Sequence, residues 1–208
     1  MGMSRSMTHE GERRGTRGFG LLEHYLSHRR VGMAESLIPK TSRRMRILDI
    51  GCGLYPFFLK QTRFQEKYAV DKYAQGGAHE LRGIDYTCQD IEAFPQLSFP
   101  QDYFDVISML AVIEHLHPTI VPPLLKDIYR ILKKGGAFIC TTPAAWTDSL
   151  LRAMALLRLV SPAEINEHQD VYNHGKLSGI LQQAGFAFDN IDLGYFELSM
   201  NIWGRAVK

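Results

Sequence analysis

The stretch Ile47-Leu48-Asp49-Ile50-Gly51-Cys52-Gly53 decides the fold of this chain. Its first four residues are typical of a buried strand. The two glycines that follow let the backbone turn tightly and approach a ligand closely, and Pro56 suits the first turn of a helix. A turn of this kind lies at the carboxyl end of a strand, where open α/β sheets bind their ligands. The stretch therefore predicts a strand, a binding turn and a helix.

The glycines do not match the dinucleotide fingerprint, which requires a third glycine three residues after the second; Pro56 occupies that position. Asp49 precedes the first glycine, and its carboxylate would repel a pyrophosphate but attract a cationic ligand. Asp71 ends the next predicted strand, where an acid can accept hydrogen bonds from ribose hydroxyls or cap the turn that follows. Together these acids indicate a site for a sulfonium nucleoside that carries an amino acid.

Strand-like and helix-like runs alternate along the chain, which predicts an α/β fold with a mostly parallel sheet and helices on both faces. Strands are predicted at residues 45–50, 67–71, 84–88, 104–110 and 137–141. Helices are predicted at residues 19–38, 122–132, 146–160 and 176–184. Two closing strands, at about 186–193 and 196–206 with a tight turn at Gly194, should form an antiparallel pair at the sheet edge.

Two of these helices carry further predictions. Apolar residues recur at helical spacing in the first helix; they are Leu22, Leu26, Met33 and Leu37, with Tyr25 and Ala34 beside them. The helix at 122–132 is followed by Lys133-Lys134-Gly135-Gly136. Basic residues followed by glycine are typical of a helix C-terminus, so we expect that helix to end there.

The composition is that of an ordinary globular domain. The 208 residues are 45% apolar with a net charge of +2, which excludes disorder of the whole chain and gives no strong signal for nucleic acid. The 3 cysteines match neither a disulfide framework nor a zinc pattern. Since the chain shows neither an apolar run of membrane-spanning length nor an apolar signal core, we expect a cytoplasmic protein. We expect a single domain over 19–208, preceded by a mobile basic arm at 1–18.

Ordered motifs extend from the glycine turn almost to the end of the chain. They are LDIGCG at 48–53, VD at 70–71, QDI at 89–91, FDVISMLAVIEHL at 104–116, LLKDIYRILKKGG at 124–136 and LQQAGF at 181–186. In this order and spacing the sequence resembles a class I S-adenosylmethionine-dependent methyltransferase (EC 2.1.1.-), of the small-molecule group, methyltransferase type 11, that includes quinone-biosynthesis enzymes. The resemblance implies a Rossmann-like seven-stranded sheet, mostly parallel, whose last strand is antiparallel.

The resemblance also implies S-adenosylmethionine as the cofactor and S-adenosylhomocysteine as the product. It places the methionine end at the glycine turn, the ribose at Asp71 and the adenine at Asp90 and Ile91. The implied cofactor-binding residues are Asp49, Gly51, Cys52, Gly53, Asp71, Lys72, Asp90, Ile91, Leu110 and Ala111. One departure is Tyr55, which stands where the family often has a third glycine, so its side chain should point away from the cofactor or cover it.

Candidate catalytic residues are two histidines. Methyl transfer from a sulfonium needs no protonation of the leaving group, so alignment and desolvation provide much of the catalysis, but a hydroxyl or acidic C–H acceptor also needs a base. His115, just beyond the fourth strand, either takes that proton or shapes the loop, and His168 is the second candidate. We expect no metal, because His115 and His117 lack a clear carboxylate companion.

The acceptor side is expected at about residues 143–175, where the family usually builds its acceptor wall. The amphipathic stretch at 146–160 either covers an apolar acceptor as a lid or packs on the sheet or on a partner. The expected function is transfer of a methyl group to an oxygen, carbon or nitrogen of a small-molecule acceptor, and the sequence is compatible with a homodimer.

Two alternatives remain at this stage. The first is a methyltransferase of nucleic acid or protein; the near-neutral charge disfavours a phosphate backbone. Enzymes that methylate base amino groups commonly carry an Asn/Asp-Pro-Pro-aromatic tetrapeptide after the fourth strand, where this chain has Leu110-Ala111-Val112-Ile113. The second alternative is a cofactor-binding module without transfer activity.

Overall fold

The computed structural model describes residues 23–40, 45–53, 55–73, 82–147 and 169–208. The predicted N-terminal arm at 1–18 and the stretch 148–168, with His168 at its end, lie outside these residues. Within the described ranges, no helix combines the length and the apolar character needed to cross a membrane.

Seven strands form one sheet. They are β1 (Arg46–Ile50), β2 (Glu66–Asp71), β3 (Asp85–Cys88), β4 (Phe104–Leu110), β5 (Leu132–Pro143), β6 (Ile191–Phe196) and β7 (Asn201–Val207). Their order is β3-β2-β1-β4-β5-β7-β6. The pairs among β1 to β5 are parallel, and β7 is antiparallel to both β5 and β6. The predicted sheet, mostly parallel with an antiparallel last strand, is confirmed.

Helices cover both faces of this sheet. The described helices are α1 (Glu23–Leu37), α2 (Phe57–Gln61), α3 (Val121–Ile131) and α4 (His174–Ala184), with short 3₁₀ turns at Ile113–His115, Ala145–Thr147 and Phe188–Asn190. Ile47 of β1 packs with α1 and α2, whereas its neighbour Leu48 packs with α3 and α4. Because successive strand residues point to opposite faces, a strand buried on both sides reads as the continuous apolar run seen in the sequence.

Helix α1 buries only part of the apolar set that recurs at helical spacing. Its buried side chains are those of Ser27, Val31 and Ala34, and Ile38, just after the helix, is buried as well. Leu26, Met33 and Leu37 are only half buried. The backbone of α1 lies close to β4, β5 and β7, and small side chains at the contact allow that approach. Of the residues indicated by apolar spacing, Ala34 is thus buried and the larger ones are not, because spacing alone does not show how closely a helix approaches the sheet.

The closing hairpin is antiparallel and lies at the sheet edge as predicted, but its turn is not at Gly194. Residues 197–200 join the two strands, and Glu197, Leu198 and Ser199 have left-handed φ angles of 53°, 54° and 67°. Gly194 lies within β6 opposite Trp203, where a Cβ would come within 2.5 Å of the Trp203 ring. The glycine is required by the close approach of an indole, which the sequence does not distinguish from a turn.

The basic glycine run after α3 is part of β5 rather than a glycine-capped helix end. Helix α3 ends at Ile131, and Leu132 is already extended and pairs with Phe104 of β4. The Lys133 ammonium donates to both oxygens of the Asp105 carboxylate, at 2.9 and 2.8 Å. The run therefore joins β5 to β4 instead of closing the helix.

Replacing Gly194 with alanine should destabilise the protein by about 1–3 kcal/mol, because the added methyl group overlaps the Trp203 ring and forces it to move. The free energy of unfolding, measured by urea titration of the purified protein, checks this expectation. The matched control is Gly179→Ala in α4, where no described atom lies within 4 Å of the new Cβ. That change should stabilise the protein by about 0.5–1 kcal/mol. Equal effects of the two substitutions would contradict the packing of Trp203 on Gly194.

Candidate functional site

The glycine turn after β1 is closed on one side and open on the other. Gly51 and Gly53 have left-handed φ angles of 75° and 71°, which glycine adopts without steric cost. A Cβ on Gly51 would come within 2.4 Å of Val112 Cγ2, so this glycine lets the loop after β4 pack against the turn. Around a Cβ placed on Gly53 there is no described atom within 4 Å. The turn can therefore receive ligand atoms over Gly53.

Asp49 is a buried carboxylate, 4% exposed, just before this turn. Its Oδ1 accepts a hydrogen bond of 2.7 Å from the hydroxyl of Ser108, its partner on β4. Burial raises the pKa of Asp49 to about 7; the Ser108 hydrogen bond opposes this shift, and the negative charge of Asp71 adds to it. A carboxylate in this state is stabilised by a ligand that brings positive charge.

Asp71, at the end of β2, binds the turn itself. Its Oδ2 accepts the backbone N–H of Gly53 at 2.8 Å, and its Oδ1 accepts the N–H of Tyr73 at 3.0 Å. The second bond is the turn cap that the sequence left open as an alternative to ribose binding. Because each carboxylate oxygen can accept more than one hydrogen bond, the cap and a ligand hydroxyl are compatible. We call Asp49, Gly51, Gly53 and Asp71 the acid–glycine unit.

Cys52 lies between the two glycines, and its side chain packs into the core beneath α1. Burial, followed by the charges of Asp49 and Asp71, raises the pKa of the Cys52 thiol. The thiol therefore stays protonated near neutral pH and is not a reactive nucleophile. The Tyr86 hydroxyl, from β3, donates to the Gly53 carbonyl at 3.4 Å. These contacts stabilise the turn from the side opposite to solvent.

The remaining residues expected near the nucleoside lie at the ends of β2 and β3. Lys72 is exposed, with its ammonium 5.3 Å from the centre of the Tyr73 ring. Asp90 is exposed, and its Oδ1 accepts the N–H of Glu92 at 3.0 Å. Ile91 is 9% exposed and packs in the core beneath α3. Parallel strands place these residues at the same edge of the sheet as the acid–glycine unit.

Leu110 and Ala111, expected beside the transferring methyl, stand at the end of β4. Leu110 is half buried, and Ala111 has a left-handed φ of 55°, a conformation that costs energy for a residue with a Cβ. The Ala111 N–H donates to the Thr141 carbonyl at 2.9 Å and lies 3.2 Å from the Thr141 hydroxyl oxygen. Held in this way, the chain turns sharply after β4 and brings Val112 against Gly51.

His115 lies in the 3₁₀ turn that follows this bend. It is half buried, and its carbonyl accepts the Gln169 side-chain amide at 3.0 Å. Its neighbour Glu114 is 2% exposed, and the charge of Glu114 assists burial in raising the pKa of Cys140 to about 12. Glu114 is thus directed into the protein beneath the loop. The loop contacts describe how His115 is held, and its role as a base stays a prediction.

His117 has a local structural contact: its Nδ1 lies 2.8 Å from the Thr119 hydroxyl. His168, the second base candidate, lies outside the described residues. Tyr55, the departure from the family pattern, lies 6.5 Å from the Phe57 ring, centre to centre, with the Lys60 ammonium 4.4 Å from its own ring centre. Its described contacts are therefore with residues of α2.

Sequence reasoning missed three residues that shape the site: Ser108, Val112 and Thr141. Ser108 interrupts the apolar run at residues 106–113, and that polar interruption was the available signal. Val112 and Thr141 carry no such signal, because their roles depend on which strands become neighbours. Val112 fits against Gly51, and Thr141 holds Ala111.

Comparison with known proteins identifies the family. Residues 22–190 match a family model described as a methyltransferase domain. The chain is 26% identical over 126 residues to the sterol 24-C-methyltransferase erg6 of Aspergillus fumigatus, and 36% identical over 124 residues to the biotin biosynthesis bifunctional protein BioHC of Cellvibrio japonicus. Each alignment covers 56% of this chain but only 30% and 23% of those proteins. The chain thus spans less than a third of the length of these relatives.

Solved structures agree in fold. The chain resembles a methyltransferase of Thermotoga maritima described as a possible histamine N-methyltransferase, with a TM-score of 0.66, 19% identity and coverage of 89% of this chain and 90% of that one. It also resembles phosphoethanolamine N-methyltransferase 2 of Haemonchus contortus in complex with S-adenosyl-L-methionine, with a TM-score of 0.63, 16% identity and coverage of 87% and 52%. With the family model matching most of its length, this chain belongs to the methyltransferase domain family, among the class I S-adenosylmethionine-dependent methyltransferases.

Proposed function

We propose that this protein transfers the methyl group of S-adenosylmethionine to a small-molecule acceptor. The observation that carries the proposal is the acid–glycine unit, in which Asp71 binds the turn at Gly53 and Asp49 is buried beside it. Two carboxylates at neighbouring strand tips suit a ligand with a positive charge and free hydroxyl groups.

The residues of the unit fit this cofactor on the chemistry of their groups. Asp49 would attract the cationic methionine end, since its ionised form is stabilised by positive charge. Asp71 keeps acceptor capacity for the ribose hydroxyls beyond its two backbone bonds. The free space over Gly53 would take ligand atoms that a side chain would exclude. When bound, the cofactor supplies a methyl group on a positively charged sulfur.

The chain's own contribution to transfer is alignment and exclusion of water. The half-buried side chains of Leu110 and Val112 would line the methyl with apolar surface, and desolvation favours the attack of an acceptor. The bend at Ala111, held by Thr141, fixes where that wall ends. Where the acceptor must lose a proton, we assign its removal to His115 as the base, with His168 as the second candidate.

A small-molecule acceptor is supported by the relatives' names, which refer to a sterol and to biotin biosynthesis. It is also supported by the net charge of +2, which provides little attraction for a nucleic-acid backbone. A cytoplasmic location belongs to the same proposal. The methylated atom, whether oxygen, carbon or nitrogen, is part of what the following experiment determines.

Turnover is tested with purified protein, methyl-labelled S-adenosylmethionine and fractions of a small-metabolite extract, with transfer RNA and a peptide mixture as separate arms. We expect label to pass to a small-molecule fraction, with release of S-adenosylhomocysteine. Labelling confined to the RNA or peptide arm would overturn the proposed acceptor class. Binding of the cofactor without transfer in any arm would identify a binding module instead.

Asp71→Ala should weaken binding of S-adenosylhomocysteine by about 1–3 kcal/mol, the scale of losing hydrogen bonds to a charged acceptor. The substitution removes both the ribose acceptor and the bond that shapes the turn at Gly53. Titration calorimetry measures the affinity. Asp85→Ala, which removes an exposed acid on the neighbouring strand β3, is the matched control and should leave the affinity unchanged. Equal affinities for both variants would mean that the ribose is held elsewhere.

Cofactor affinity should fall at acid pH because Asp49 has a pKa of about 7 and only its ionised form attracts the cationic methionine end. Between pH 8 and pH 6 we expect the affinity for S-adenosylmethionine to fall about tenfold. Calorimetry at both pH values checks this. Asp49→Asn should bind weakly at both, with no such dependence. An unchanged pH dependence in the variant would show that another group causes it.

The same substitution provides a second readout in the absence of ligand. Burial raises the pKa of Asp49 above the ordinary value of 3.8, so the folded state binds more protons than the unfolded state between about pH 4 and pH 7. Stability from this group is therefore greatest at low pH and is lost as the pH rises through about 7. Asp49→Asn should accordingly unfold at a higher temperature than the parent at pH 8, with the difference vanishing near pH 4.

A further inference from the structure

Gln169, just ahead of α4, forms hydrogen bonds to two other loops of the same sheet edge. Its side-chain Nε2 donates to Glu92 Oε1 at 3.2 Å and to the His115 carbonyl at 3.0 Å. Its backbone N–H donates to the Glu114 carbonyl at 2.8 Å, and the next N–H, of Asp170, reaches the same carbonyl at 3.3 Å. The segment before α4 is thus attached both to the loop after β3 and to the loop after β4.

Glu92 completes the connection on the nucleoside side. Its Oε1 also accepts the backbone N–H of His117 at 3.2 Å, and its own N–H donates to Asp90 Oδ1. Asp90 is the acid expected to bind the adenine. Asp90 is therefore linked to Gln169 through Glu92, whose backbone N–H bonds to Asp90 and whose carboxylate bonds to Gln169. We call Glu92, Gln169, the His115 carbonyl and the His117 N–H the three-loop junction.

The bonds of this junction are weak enough to be shifted by a ligand. Gln169 is exposed and Glu92 is half buried, so water competes for every donor and acceptor. The net contribution of such a bond is about 0.5–1.5 kcal/mol, which allows the junction to open and close in the folded protein. A ligand that binds the closed form more tightly shifts the population toward it.

We propose that Gln169 is a positioning residue through which the adenosine half of the cofactor fixes the segment ahead of α4. The proposal rests on the proposed function, because it takes Asp90 as the adenine contact. A nucleoside amino group on the second carboxylate oxygen of Asp90 holds that carboxylate, and with it Glu92. Glu92 then holds Gln169.

The consequence for the reaction is an order of events. The segment 169–173 carries Tyr172, whose buried hydroxyl donates to the Ile113 carbonyl at 3.5 Å, and Asp170, which pairs with Lys176. This segment belongs to the expected acceptor side. Cofactor binding therefore completes the acceptor side, and the acceptor binds second.

Amide hydrogen exchange tests the proposal on the full-length protein without knowledge of the acceptor. The exchange rates of the Gln169 and Asp170 amides are compared without ligand and with saturating S-adenosylhomocysteine, adenosine or methionine. We expect S-adenosylhomocysteine and adenosine each to slow both amides about fivefold, a coupling of ordinary size. Methionine should have no effect, since it does not reach Asp90. Slowing by methionine alone would overturn the route through adenosine.

Gln169→Ala should abolish the ligand-dependent slowing at Asp170 while leaving the protein folded, because the replaced side chain is exposed. By reciprocity it should also weaken binding of S-adenosylhomocysteine about fivefold. Gln183→Ala, at an exposed glutamine of α4, is the matched control and should retain both properties. A merely structural role of Gln169 would speed exchange equally with and without ligand.

Calorimetry on the same samples distinguishes failure of the three-loop junction from failure of the proposed function. The junction is overturned if S-adenosylhomocysteine binds the parent protein without slowing exchange, or if it slows exchange equally in Gln169→Ala. Either result leaves the proposed function in place. Absence of S-adenosylhomocysteine binding to the parent protein overturns both. Slowing in the parent and in Gln183→Ala, lost in Gln169→Ala, establishes Gln169 as the positioning residue.

Discussion

The site depends on two like-charged carboxylates that are buried close together at adjacent strand tips. Asp49 and Asp71 repel each other, and burial makes the ionised form of Asp49 costly. Hydrogen bonds stabilise each charge in part: Asp71 accepts two backbone N–H groups, and Asp49 accepts the Ser108 hydroxyl. A ligand that brings positive charge would relieve the remaining cost, which is why the proposed cofactor suits this pair of acids.

The centre of the sheet could be predicted from the sequence because β1 and β4 are buried along nearly their whole length and are recognisable as short, mostly apolar runs. The predicted bounds of β4 coincide with those observed, Phe104–Leu110. Errors occurred where tertiary contact overrides local pattern. Gly194 indicated a turn but provides room for Trp203. Helix α1 buries Ser27 and Val31 more fully than Leu26. The spacing of residues along one segment does not reveal which side chains of other strands will pack against it.

The same distinction applies to the site. The grouping of Asp49, the two glycines and Asp71 follows from strand ends that the chain order itself predicts. The structure bonds Asp71 to Gly53 and buries Asp49 beside them. Three further residues reach the site from elsewhere: Ser108 from β4, Val112 from the loop after it, and Gln169 from the segment before α4. Their roles depend on the order of the strands and the path of the loops. Whether His115 acts as a base depends on the acceptor, which no pattern in the chain describes.

The two halves of the site differ in how firmly they are held. In the proposed cofactor half, Asp49 and Asp71 are buried; Asp71 accepts two backbone N–H groups, and Asp49 accepts the Ser108 hydroxyl. The segment before α4, expected on the acceptor side, is attached through exposed side chains such as Gln169, whose hydrogen bonds compete with water. In the proposed function the buried half would bind the cofactor and the exposed half the acceptor, so the acceptor site could be altered without rebuilding the sheet.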